Sequence, residues 1–177
     1  ASAAAHTFVH GVVSEDFWIP HNLDPTNRSD TPGVLPETLD VVFGGADFQW
    51  RAEVYPTLSD ARAAFERGDL DFQVTSLSWV DQPLADGTLF SSAFYTTVDR
   101  LIFALDAPVA TAACESMARL SLWGVVGYRY PCDDKMLIRR APGENDLIAG
   151  VSAGRFPAVI VEETTARFWS RRLQVPL

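Results

Sequence analysis

The sequence predicts an α/β protein of two small lobes with mostly parallel sheets. Short apolar runs with strand-like alternation are separated by segments whose apolar residues recur at helical spacing. This order stops near Pro108 and begins again after it. The length, 177 residues, suits one ordinary domain or two small lobes sharing a chain. The expected division is a first lobe of residues 1–100 and a second of 101–177, meeting around 101–108.

Each element has its own reason. Residues 7–13 alternate Phe8, Val9, Val12 and Val13 around small residues and read as a buried strand, which empties into a Pro-, Asn- and Asp-rich loop over 14–36. Pro36 suits a first helical turn, Leu39, Val42 and Phe43 follow at helical spacing, and Gly44-Gly45 ends the helix. Trp50, Ala52 and Val54 alternate as a second strand. Ser59 is the expected cap of a helix over 60–67, whose Ala61, Ala64 and Phe65 form an apolar stripe stopped by Gly68. Residues 70–76 read as a third strand. After an irregular stretch, 98–105 reads as a strand whose contiguous Leu101, Ile102 and Phe103 predict burial on both faces. Beyond Pro108 the pattern gives a helix over 110–118, strands at 122–126 and 137–140, a helix over 144–153, a strand at 158–161 and a helix over 163–172.

Composition removes several classes. With 47% hydrophobic and 21% charged residues the chain is globular rather than disordered, and no apolar run approaches the roughly 20 residues of a membrane helix. A net charge of −9, from 14 basic and 23 acidic residues, sets the chain against phosphate backbones, so nucleic acid is not the expected partner. The opening Ala1-Ser2-Ala3-Ala4-Ala5 is the kind of small-residue run left after signal-peptide cleavage, which points to export and a periplasmic location. Cys114 and Cys132 are the only cysteines. Exported, they form a disulfide; in a reducing compartment they are two separate buried thiols. They lack the spacing and the histidine that zinc or redox chemistry requires.

The order of pieces resembles the periplasmic solute-binding proteins of the amino-acid-binding type, which have the type II periplasmic binding fold. The residues that carry the resemblance are Gly68-Asp69-Leu70-Asp71 between a helix and a strand, Phe90-Ser91 with Phe94-Tyr95 before the crossing strand, and Gly127-Tyr128 after a later strand. The run from Phe8 to Pro20 is similar to the family's first strand and ligand loop. This resemblance implies a ligand cleft between the lobes, built at the carboxyl ends of strands.

Three departures qualify what is implied. The family clamps an α-carboxylate with an arginine after the third strand, yet residues 79–87 contain no basic residue, so an ordinary amino acid is not the expected ligand. Where the family places a helix between 130 and 137 this chain has a short stretch in which Cys132 is able to pin the loop to the helix carrying Cys114. The family's closing strand and helices are missing after residue 177, which leaves a shortened fold and an expected uncovered face on the first lobe, lined by Phe8, Val42, Phe43, Val54 and Phe65. That face predicts self-association or a protein partner, unless the 14–36 loop folds over it.

The candidate ligand-binding residues follow from the loops that the resemblance brings to the cleft: Phe17, Trp18, Ser76, Ser78, Trp79, Tyr95, Gly127, Tyr128, Arg129, Tyr130 and Glu162. Their rings suit an apolar or flat ligand, or else fill the gap between lobes. Glu162 and Arg129 are a receptor for a cation and a contact for an anion, or halves of ordinary ion pairs. His6, His10 and His21 do not suit a metal, since strand residues four apart lie roughly 13 Å from each other. Asp133-Asp134 has no calcium pattern and reads as a solvated turn. Serines are plentiful, but no histidine follows residue 21 to serve as their base.

The expected function is therefore binding without catalysis and without cofactor or metal: a periplasmic solute-binding component of an ABC importer with an aromatic-lined cleft. Two alternatives remain. One is an accessory protein of a periplasmic dehydrogenase system of the methylotroph type, where similar proteins occur. The other is a lyase or dehydratase on the same fold, with Glu162 as general acid.

Overall fold

The structure is a computed structural model and describes residues 6–13, 18–24, 26, 28–44, 48–76, 87–107, 114–130 and 132–177. It divides into two compact units, Ala1–Ser76 and Leu77–Leu177, so that residues 77–100, read from sequence with the first lobe, belong to the second unit.

The first unit is built on two parallel strands, β1 (His6–Val13) and β2 (Phe48–Tyr55), in register from His6 opposite Phe48 to Val13 opposite Tyr55. Helix α1 (Val34–Gly44) forms the crossover between them. Even-numbered side chains of β1 share one face, where Phe8 meets Phe43 of α1 at 5.6 Å and Phe48 at 5.5 Å. Helix α2 (Leu58–Glu66) packs on β1, and its Ala61 and Ala64 are buried. Its cap is Thr57 rather than Ser59. The Thr57 hydroxyl accepts from the Asp60 amide at 3.1 Å and donates to the Asp60 carboxylate at 2.7 Å, a side-chain cap that starts the helix earlier than expected.

The third strand expected at 70–76 is reduced to a single bridge between His10 and Phe72. The Val9 amide, which would supply the next rung, donates instead to the Asp71 carboxylate at 2.7 Å. A side chain has taken the place of a main-chain acceptor, and the ladder stops at that end.

The second unit has a four-stranded sheet of order β3-β6-β4-β5, made of β3 (Asp99–Phe103), β4 (Leu122–Val125), β5 (Ile138–Ala141) and β6 (Ala158–Glu162). The β4–β5 and β4–β6 pairs are parallel, and β3 lies antiparallel to β6. Central β6 is buried along its whole length. With Leu122, Val125, Leu147, Ile148 and Val151 it forms the core. β3 is an edge strand, and Leu101, Ile102 and Phe103 are only half-buried, not enclosed on both faces as their contiguity suggested. Helices α4 (Glu144–Ser152) and α5 (Glu163–Leu173) pack on each other and on β6. The helix expected over 110–118 is described only as the short α3 (Cys114–Met117); residues 110–113 lie outside the described set. Cys114 and Cys132 form a disulfide, with Cα atoms 5.8 Å apart. No helix among the described residues is long and apolar enough to cross a membrane.

Candidate functional site

Because β4, β5 and β6 are parallel, their carboxyl ends open on one side of the second sheet. The antiparallel edge strand brings its amino end to that side, where Asp99 is the register partner of Glu162. Like charges placed opposite one another across a ladder repel. The Asp99 carboxyl has its pKa raised, first by partial desolvation and then by the Glu162 charge. Glu162 is buried and caps α5, accepting from the Thr165 amide at 2.9 Å. Tyr95, in the exposed segment leading into β3, has its hydroxyl pKa raised, chiefly by partial desolvation and next by Glu162.

The loop over 125–130 lies beside this pair. Val126, Gly127 and Arg129 face solvent, whereas Val125, Tyr128 and Tyr130 are buried. Gly127 takes φ +82°, a conformation that glycine adopts without strain, and open space surrounds the position of a Cβ there. The Tyr128 hydroxyl donates to the buried Glu144 carboxylate at 2.6 Å. Burial, followed by the Glu144 charge, raises its pKa well above the ordinary range, and Asp99 adds to the same effect. The Tyr130 hydroxyl accepts from the Val125 amide at 2.8 Å, and its ring sits over Gly124, where a Cβ would collide with it. Both tyrosines of this loop therefore have their hydroxyls engaged inside the unit.

Asp133 is more than a solvated turn. Both its carboxylate oxygens accept from Arg140 Nη2 at 2.9 Å, while Arg140 Nη1 donates to the carbonyls of Val125 (3.2 Å) and Tyr128 (3.0 Å).

In the first unit, Trp18 is half-buried with its ring 4.5 Å from that of the buried His21. Ser76 is exposed at the unit's end. Phe17, Ser78 and Trp79 lie outside the described residues. The three histidines have separate surroundings. His6 is exposed, His21 packs on Trp18, and His10 stacks on Phe72 at 4.8 Å. Burial lowers the His10 pKa to about 4, against a weaker opposing hydrogen bond with the Phe72 carbonyl. Among the described residues no group of three His, Cys, Asp or Glu side chains could hold a metal ion.

Sequence reasoning missed Asp99, Glu144, Asp133 and Arg140. Their importance depends on strand register and loop packing, which no local pattern signals.

No protein-family model and no curated relative matches the chain. Solved structures do. The GluR0 ligand-binding core in complex with L-glutamate superimposes with a TM-score of 0.70 at 14% identity, over 97% of this chain and 76% of that one. The arginine-bound truncated ArgBP from T. maritima gives 0.64 at 13% identity, over 94% and 78%. The BvgS VFT2 domain of Bordetella pertussis gives 0.61 at 12% identity, over 94% and 70%. The chain has the type II periplasmic binding fold. In this binding fold the 125–130 loop, Asp99 and Glu162 occupy the carboxyl ends of the parallel strands of the second unit, the place where open α/β sheets receive ligands.

Proposed function

We propose that the chain is a non-catalytic binding protein for a small solute that carries an amine or guanidinium, and that it serves as the periplasmic solute-binding component of an importer. The observation that carries this reading is the register pairing of Asp99 with Glu162 at the strand ends, two carboxylates whose mutual repulsion a cation relieves. Tyr95 adds an aromatic face beside them. Gly127 and Arg129 present the exposed rim of the neighbouring loop. Binding is favoured over proton donation because Glu162 is already held as a hydrogen-bond acceptor by the Thr165 amide. The neighbours whose structures hold arginine or L-glutamate support a small polar solute. The absence of an arginine from 79–87 separates this chain from a carboxylate-clamping amino-acid receptor.

A thermal-shift comparison of agmatine, L-arginine and L-glutamate tests the reading, since agmatine keeps the cations and lacks the carboxylate. At 100 times its dissociation constant a ligand adds roughly 2.7 kcal/mol. Stabilisation by agmatine with little by glutamate is expected; stabilisation by glutamate alone overturns it.

A second reading, docking of a protein partner on the first unit, is favoured by its exposed apolar Val41, Val42, Phe48 and Val54, 80%, 59%, 48% and 44% accessible. Self-association and an accessory role beside a dehydrogenase both belong to it. Light scattering over a concentration series detects the first of these.

A further inference from the structure

We propose that Arg140 is the positioning residue of the 125–130 loop, and that the Cys114–Cys132 disulfide acts on that loop through Asp133. As a statement about binding it rests on the reading above, in which the loop borders the solute site.

Besides the main-chain bond from the Val126 amide to the Ala141 carbonyl at 2.9 Å, three side chains anchor the loop inward. The Tyr130 hydroxyl accepts from the Val125 amide, the Tyr128 hydroxyl donates to Glu144, and Arg140 Nη1 donates to the carbonyls of both Val125 and Tyr128. The Tyr130 hydroxyl holds the main chain only at Val125 and the Tyr128 bond holds a side chain, whereas one nitrogen of Arg140 ties main-chain carbonyls on both sides of the Gly127 turn. A planar guanidinium can do this while its other nitrogen binds a carboxylate, and a lysine ammonium cannot reproduce the fork. Its guanidinium carbon also lies 5.4 Å from the centroid of the Tyr130 ring, closing the same cluster from a second side.

Arg140 is in turn held by Asp133 through two contacts of 2.9 Å. Asp133 follows Cys132 directly in sequence. Asp133 is tied to Tyr130 in both directions, its amide donating to the Tyr130 carbonyl at 3.1 Å and its carboxylate accepting from the Tyr130 amide at 3.4 Å. The disulfide fastens this turn to α3. A continuous chain of contacts thus runs from Cys114 through Cys132, Asp133 and Arg140 to the main chain of the loop, leaving Val126, Gly127 and Arg129 facing outward. The cross-link sets where Asp133 stands, and Asp133 sets which carbonyls Arg140 can reach.

Amide hydrogen exchange on the full chain reads this directly and needs no ligand. In Arg140→Gln, exchange across 125–130 is expected to rise at least tenfold while peptides from α4 and β6 stay within twofold of the wild type. Arg140→Lys is expected to fall between the two. Asp133→Asn and the double variant Cys114→Ser/Cys132→Ser should each raise exchange in the same loop. Agmatine affinity should fall at least fivefold in Arg140→Gln and recover in part in Arg140→Lys. Exchange that rises equally in α4 and β6 would make Arg140 a general stabiliser and overturn the proposal, as would an unchanged loop in Arg140→Gln. An unaffected loop in the double-serine variant would overturn the disulfide's part. If agmatine does not bind the wild type, the solute reading falls, and the exchange result still decides whether Arg140 positions the loop.

Discussion

The two units contrast in charge and in how fully each is covered. Residues 1–76 hold 4 basic and 12 acidic side chains, a net of −8, whereas 77–177 hold 10 and 11, a net of −1. The first unit has a two-stranded sheet and leaves Val41, Val42, Phe48 and Val54 exposed; the second has four strands and a central strand buried throughout. A two-stranded sheet has little apolar area to bury, and among the described residues only 71–72 bond to the outer edge of β1. The second unit therefore carries its own stability, and the first is the more easily opened.

The largest test of this contrast is in the cores. Leu147, fully buried between α4 and the sheet, should cost about 4 kcal/mol when changed to alanine. Leu39 of α1, buried but adjoining an exposed helix face, should cost about 2 kcal/mol because its surroundings can collapse. Chemical denaturation of both variants measures the difference, and equal costs would break the comparison.

Acid should open the first unit selectively. His10 is buried, its Nε2 has no hydrogen-bond partner among the described residues, and its pKa falls from 6.5 to about 4. The unfolded chain then takes up the proton first as pH drops. Stability present above pH 6.5 is lost progressively towards pH 4, by about 3 kcal/mol at the lower end. His10→Phe should flatten that limb of the pH–stability curve, read by denaturation at pH 7, 5.5 and 4.5, while the core of the second unit is unaffected.

A smaller effect locates the start of α2. Thr57→Ala should destabilise by about 1 kcal/mol and Ser59→Ala by much less, since the hydrogen bonds of the cap belong to Thr57. Thermal melts of the two variants separate them.

What the sequence disclosed follows the same divide between local and distant causes. β6 and α4 were legible because apolar spacing is a local property, and the alternation of helices with apolar runs was enough for an α/β fold. At the amino end of the expected third strand Asp71 competes for the Val9 amide, a contact between residues 62 apart in sequence that no local pattern signals. The burial of Leu101, Ile102 and Phe103 was overestimated because an edge position cannot be read from composition. Glu162 and the 125–130 loop were singled out through resemblance to a family. Asp99 became visible only once β3 was paired antiparallel to β6, and Arg140 only once the loop it holds had folded against β5.

The central claim, that the strand ends of the second unit receive a cation, is tested most directly by calorimetric titration of agmatine into the wild type and Asp99→Asn at pH 7. Replacing Asp99 removes a like charge opposite Glu162, so the variant should be slightly more stable, by about 0.5 kcal/mol, and should bind agmatine at least tenfold more weakly. Greater stability with weaker binding is the signature of a residue kept for its ligand. Equal agmatine affinity in the two proteins, or no binding to the wild type at all, would contradict the claim.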